Sequence, residues 1–338
     1  MNPTGSTTVS DFVEPLPVTL ASSSERAAVR TGFSPGMLLA LCLAIWACGP
    51  DEGGTNSGME ASVGVPSGPL FIVGGGPRPD SLMGHFLELA GGPGQARIAV
   101  VPMSSADAQG ALESLTAEMR ALGAVEVVSL LLSRDEALSG EGLERLDGVT
   151  GIWFAGGVQT RHTAALKGTP VEAALHDLHA SGAVVGGTSA GAAVMSGLMI
   201  TGDERRRGGD RPSRNGEAFV TIDRDNIVTE PGFGFFRRVI IDQHFVRRKR
   251  HNRLISLVLE HPHLLGIGID EGTALEVHPD GRWIVRGESV VVVYDARGAR
   301  VTPADGSTLG AAELRMHVLP AGAVYDPEPG NVGISMRP

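Results

Sequence analysis

From residue 69 onward, short apolar runs alternate with longer stretches in which apolar residues return every three or four positions. The runs at 70–73, 97–101, 125–130, 151–154 and 183–185 are dominated by Val, Ile, Leu, Ala and Phe, with few polar positions interleaved. Strands of this kind are buried on both faces, since a half-exposed strand would alternate apolar and polar residues. Between them, 81–90, 108–122, 134–146 and 171–180 carry helical period; in 108–122, Ala111, Leu112, Leu115 and Met119 fall on one stripe. Strand and helix in alternation, with continuously apolar strands, predict a parallel sheet between two helical layers. This is a three-layer α/β/α core of the flavodoxin-like or class I glutaminase-like kind. Residues 202–234 are polar and glycine-bearing and read as a long loop. The pattern resumes with a strand from 239, a helix over 246–259 and a strand over 264–269. The runs 273–278, 282–286 and 289–295 predict antiparallel strands appended to the sheet's edge, with a Pro-Asp-Gly turn between the first two.

Ahead of this domain the pattern changes. An apolar run at 37–47 follows Arg26 and Arg30 and ends on Ala47-Cys48. A bilayer-spanning helix needs about 20 residues, so this run is short, and its flanks are those of an export signal. Ile45-Trp46-Ala47-Cys48 also resembles a bacterial lipobox, with Trp46 where a smaller residue is usual; in that reading Cys48 carries a lipid anchor. Residues 49–68, rich in Gly and Ser, read as a flexible linker. The expected organisation is therefore an export signal over 1–48, a linker over 49–68 and a folded domain over 69–338. The expected location is the periplasm or cell surface.

Composition narrows the chemistry. Both cysteines, Cys42 and Cys48, precede the folded domain. That domain accordingly has no disulfide, no cysteine nucleophile and no thiolate metal site. A net charge of −10 argues against a nucleic-acid-binding surface. The histidines show no metal-ligand spacing, and the expectation is a chemistry without metal or cofactor.

Gly187-Thr-Ser-Ala-Gly191 matches G-x-S-x-G, with an apolar strand before it and a small-residue helix after it. That context places Ser189 on a sharp strand-to-helix turn as a candidate nucleophile, with the Ala190 N–H facing a developing oxyanion. The competing reading is a glycine-rich turn whose serine merely caps the helix. His244 is the candidate base, because Val239-Ile-Ile-Asp-Gln-His244 puts it at the C-terminal end of an apolar strand. The orienting acid is open among Glu204, Asp203 and Asp210, with Glu204 preferred because it gives the order serine, acid, histidine. Two glycine-rich strand ends, Gly74-Gly-Gly76 and Gly156-Gly157, suit close backbone approach to a substrate. Gly157 is the candidate second oxyanion donor, and Gln159 a candidate substrate ligand. Arg247, Arg248, Lys249, Arg250 and Arg253 follow the candidate base, and guanidinium forks suit a substrate rich in carboxylates.

Taken together, Phe154-Ala-Gly-Gly-Val-Gln159, Gly187-Thr-Ser-Ala-Gly-Ala192, Asp242-Gln-His-Phe245 with its arginines, and Gly266-Ile-Gly-Ile-Asp-Glu271 resemble the cyanophycinases. These are serine peptidases related to the aspartyl dipeptidases. The resemblance covers roughly residues 70–300. It implies an exopeptidase releasing β-Asp-Arg from cyanophycin, a polyaspartate carrying arginine on its side chains. It also implies Ser189 as nucleophile, His244 as base, and Gln159, Asp242, Gln243, Arg248, Arg250 and Arg253 along the substrate groove. A homodimer is expected from the same resemblance. The rival readings are an aspartyl or isoaspartyl dipeptidase and a non-catalytic lipoprotein that binds acidic polymers. A class I glutaminase would require a cysteine nucleophile, which this domain lacks.

Overall fold

The computed structural model describes residues 66–205, 220–303, 305–328 and 334–336. The expected export signal, Cys48, most of the linker and Asp210 lie outside the described residues. In chain order the first half comprises β1 (Leu70–Val73), α1 (Asp80–Leu89), β2 (Arg97–Val101), α2 (Ala108–Ala121), β3 (Glu126–Ser129), α3 (Arg134–Ser139), β4 (Gly151–Phe154), α4 (Gln159–Leu166), α5 (Pro170–Ala180) and β5 (Val184–Thr188). A single turn, α6 (Ala190–Ala193), leads to β6 (Leu198–Glu204), β7 (Ile227–Pro231), β8 (Val239–Gln243), α7 (His251–Glu260) and β9 (Leu265–Ile269). Next come β10 (Thr273–Val277), β11 (Trp283–Gly287), β12 (Val290–Asp295), β13 (Arg300–Val301), β14 (Ala311–Ala312), β15 (Arg315–Pro320), β16 (Ala323–Tyr325) and β17 (Ile334–Met336).

Nine strands form the main sheet in the order β17-β16-β11-β10-β1-β5-β4-β2-β3. Strands β1, β5, β4, β2 and β3 run parallel, and β10 joins β1 antiparallel as the first of the appended strands. The pattern thus predicts the parallel core and its antiparallel edge. It does not predict that the chain leaves this sheet at 239. Strands β8, β9, β12 and β15 build a second sheet of their own, with β8 and β9 parallel. The 202–234 segment is likewise more than a loop, since β6 and β7 pair antiparallel.

Residues of β1 alternate between two cores. Leu70 and Ile72 pack with Val101, Ile152 and Phe154, whereas Phe71 and Val73 pack with Ile98, Val100 and Trp153. The second sheet has the same two-sidedness. Ile241, Ile267 and Val293 join the first core, while Ile240, Val292 and Tyr294 pack under Leu254 and Val258 of α7. Burying both faces of the central strands of both sheets removes large apolar areas from water, at about 25 cal/mol per Å².

Helix ends follow local chemistry. Asp107 caps α2 by accepting from the Gly110 N–H at 2.9 Å, and Ser133 with Glu136 forms a capping box on α3. The helix expected over 134–146 stops at Ser139 because Gly140 turns left-handed (φ 81°), and a 3-10 turn covers Leu143–Leu146. The helix expected from 246 begins at His251. Helix α4 has no apolar stripe to betray it, because Gln159, His162 and Thr163 occupy its buried face beside Leu166.

Candidate active site

Strand β5 delivers Ser189 to the C-terminal edge of the main sheet. The serine sits at φ 53° and ψ −111°, a conformation L-residues avoid, at a strain of about 1–3 kcal/mol. Glycine is required on either side. A Cβ on Gly187 would stand 2.7 Å from the Gly191 carbonyl, and one on Gly191 would stand 2.1 Å from that of Phe154. The serine N–H donates to the Val73 carbonyl at 3.0 Å, which ties the turn to the end of β1.

His244 follows β8 and also has positive φ, 51°. Its N–H donates to the next carbonyl of the same strand end, Gly74, at 2.7 Å. The two side chains meet: Ser189 Oγ donates to His244 Nε2 at 2.9 Å, and His244 Nδ1 donates to Glu271 Oε1 at 2.6 Å. A carboxylate at Nδ1 keeps the proton there and leaves Nε2 to accept. Burial pushes the His244 pKa below the ordinary value, opposed by the bond to Glu271 and aided by the nearby charge of Arg248.

The run Gly74-Gly75-Gly76 is what permits this meeting. A Cβ on Gly74 would stand 2.2 Å from the Asp270 carbonyl. One on Gly75 would lie 2.4 Å from the His244 ring, and one on Gly76 would lie 2.7 Å from the Glu271 side chain. The close approach expected of these glycines is therefore to the histidine and its acid, within the chain itself.

The acid expected at Glu204 is corrected by this geometry: the carboxylate on His244 is Glu271, two residues past β9, whereas Glu204 ends β6. Of the acidic pair after β9, Asp270 accepts from the Arg247 N–H and the Ser289 hydroxyl, and Glu271 reaches the histidine. The signal that identifies His244, a polar residue just beyond an apolar strand, applies equally to Ile267-Gly-Ile-Asp-Glu271.

Other expected groove residues divide sharply. Asp242 and Arg253 are each 1% exposed and form a two-point ion pair inside the fold, with Arg250 Nη1 3.6 Å from the same carboxylate. Gln243 is buried and accepts from Arg250 through both its backbone carbonyl (2.6 Å) and its side-chain oxygen (2.5 Å). Burial, with Arg253 alongside, brings Arg250 down to about 10. Arg248 is exposed, within electrostatic reach of His244. Gln159 Nε2 donates to the carbonyls of Ile200 and Thr201, both at 2.7 Å, and so fastens α4 to β6.

A cavity of about 340 Å³ opens beside Ser189 and His244, walled by Gly75, Arg78, Leu115 and Gly156. Ala190 is fully buried at the first turn of α6. Of the glycine pair after β4, Gly156 lines the cavity. The Cα of Gly157 faces the other way, where a Cβ would meet the Ser104 carbonyl at 2.1 Å. Two buried residues not singled out from sequence hold this turn. The Ser104 hydroxyl lies 2.8 Å from the Ala155 carbonyl and 2.9 Å from that of Gly156, and His162 Nε2 donates to the Ala155 carbonyl at 3.0 Å. Complete burial lowers the His162 pKa to about 4, so it is a neutral donor. Among the described residues no cluster of His, Cys, Asp or Glu is placed to hold a metal, and no helix is long and apolar enough to cross a membrane.

A serine hydroxyl, an imidazole and a carboxylate in one hydrogen-bonded line, with backbone amides nearby, are the parts of nucleophilic acyl transfer. Comparison with known proteins agrees. Residues 70–284 match the model of peptidase family S51. A cyanophycinase from Synechococcus elongatus is 35% identical over 270 residues, covering 77% of this chain and 79% of the relative. One from Geminocystis herdmanii is 31% identical, covering 76% and 93%. A solved peptidase structure from an acI-B1 actinobacterium shares the fold, with a TM-score of 0.55 at 21% identity. It covers 78% of this chain and 98% of that one.

Proposed function

The chain belongs to peptidase family S51, with the cyanophycinases, and on that premise we propose that this serine-type peptidase hydrolyses cyanophycin to β-Asp-Arg dipeptides. The observation that carries the reading is the Ser189–His244–Glu271 line, because a serine meant only to bind or to cap needs no imidazole at 2.9 Å backed by a carboxylate. The same line favours catalysis over mere polymer binding.

Ser189 Oγ attacks the carbonyl carbon of the scissile bond as His244 Nε2 takes its proton. Glu271 keeps the ring oriented and stabilises the imidazolium that forms. The negative oxygen of the tetrahedral intermediate is met by the Ala190 N–H and by the backbone of the Gly156-Gly157 turn, held by Ser104 and His162. Collapse breaks the C–N bond, and the proton on His244 passes to the leaving amine. Water, deprotonated by the same histidine, then releases the acyl group and restores the serine. Arg248 and Arg250 lend positive potential beside the histidine, which suits a polymer bearing a free carboxylate on each arginine.

The sequence ahead of the domain supports an exported enzyme: an export signal over 1–48, a lipid anchor at Cys48, a tether over 49–68 and the peptidase over 69–338. The setting is the periplasm or cell surface, and the assembly a homodimer. Purified protein incubated with cyanophycin granules tests the activity. Dipeptide release by wild type and none by Ser189→Ala is the expected result; intact polymer with both overturns it.

A further inference from the structure

The cavity beside Ser189 has one permanently charged side chain in its wall among the described residues, and it is none of the arginines that follow His244. Arg78 stands just past the glycine run that follows β1, and its side chain reaches α2. The stripe Ala111, Ser114 and Leu115 of that helix forms the facing wall, and Glu118 continues the stripe one turn on. Arg78 Nη2 donates to Glu118 Oε2 at 2.8 Å. Its Nε–H is shielded from water and has no acceptor.

This arrangement differs from an ordinary surface ion pair. There, both groups face open solvent and the pair contributes little. Here Glu118 engages one N–H of a guanidinium that has five, and the pair stays about a quarter exposed on each side. An acceptor arriving through the cavity meets the guanidinium N–H groups that Glu118 leaves unused. The planar fork fits a carboxylate, which accepts two parallel N–H bonds.

We infer that Arg78 is a specificity-determining residue that grips a substrate carboxylate next to the scissile bond, with Glu118 as the positioning residue that aims its guanidinium. The inference rests on the peptidase reading above and narrows its substrate class to peptides with a free carboxylate within reach of the attacked carbonyl. Substrates lacking that carboxylate forgo the charged two-point bond and are discriminated against.

The test compares two short synthetic β-Asp-Arg oligomers, one with free arginine carboxylates and one with those groups as amides. Wild type is expected to prefer the acid by roughly tenfold or more in kcat/KM, as sites with unfilled polar groups do. In Arg78→Met the preference falls to near one, chiefly through a higher KM on the acid. Arg78→Lys, which keeps the charge and loses the fork, recovers part of it. A merely structural role would lower stability and leave the acid-to-amide ratio where it was. Retention of the wild-type ratio in Arg78→Met overturns the inference, as does a wild type with no preference. If neither oligomer is hydrolysed while a fluorophosphonate still labels Ser189, the serine chemistry stands and the carboxylate grip falls. If Ser189 is not labelled, the peptidase reading falls and takes the grip with it.

Discussion

The two halves of the active site come from differently built regions. Ser189 rides on a parallel sheet whose strands are enclosed by helices, and its turn carries a compact five-residue signature. His244 and Glu271 ride on a separate four-stranded sheet and are 27 positions apart, each following its own strand. The first half is dictated by neighbours in sequence, the second by neighbours in space. What joins them is backbone: Val73 and Gly74, consecutive residues, accept from Ser189 and His244 respectively.

The largest test of this division compares the two carboxylates. Glu271→Gln should lower kcat by about 10⁴-fold, the scale seen when the orienting acid of a triad is neutralised. Glu204→Gln should change it by less than about threefold; a reversal of the two would return the acid to β6. Next in size is the buried Asp242–Arg253 pair beneath the histidine strand. Arg253→Met takes from the buried Asp242 its two-point partner, leaving Arg250 at 3.6 Å beside it, and should cost about 3 kcal/mol in urea unfolding, whereas the double change with Asp242→Leu should recover most of it. If the single change instead raises KM at constant stability, Arg253 belongs to the groove after all.

The joint itself comes third. Gly75→Ala puts a methyl against the imidazole at a φ of 103°, and a misplacement of about 1 Å should cost roughly 10²-fold in kcat with Ser189 still in place. Smaller again is a stability effect confined to the main-sheet side. His162 is held at about 4 against an ordinary 6.5, so on acidification the unfolded chain takes the proton first. Stability present above 6.5 is therefore lost as pH falls toward 4, by about 2 kcal/mol between roughly pH 7 and pH 5. His162→Leu should flatten that dependence in denaturation curves. Smallest is the pH profile. His244 must be neutral to act and its pKa is lowered, so the acid limb of kcat/KM should lie below 6.5 and move lower still in Glu271→Gln.

Much of this was legible in the chain. The apolar runs predict the parallel core, and G-x-S-x-G between strand and helix predicts Ser189. The same strand-end logic predicts His244. Three things were hidden, each for a physical reason. The second sheet uses strands as apolar as those of the first, so periodicity cannot tell which sheet a strand joins. Helix α4 buries polar groups that bond to carbonyls and therefore lacks an apolar stripe. The acid was misplaced because chain order was used where geometry decides: Glu204 fits the order serine, acid, histidine, but Glu271 lies within hydrogen-bond reach of His244. Charge was also a poor guide to exposure. Arg253 lies in a basic run and is among the most buried residues, while the isolated Arg78 faces the cavity.

The paired carbonyls at the end of β1 bear on when the enzyme becomes dangerous to its surroundings. A nascent chain completed only through residue 200 carries the serine but neither His244 nor Glu271. Both the imidazole and its carboxylate come later in the chain, after β8 and β9, which pair with each other in the second sheet. Breathing of the second sheet would withdraw base and acid together. Hydrolysis thus reports that assembly is finished, and a partly folded molecule is an unarmed one.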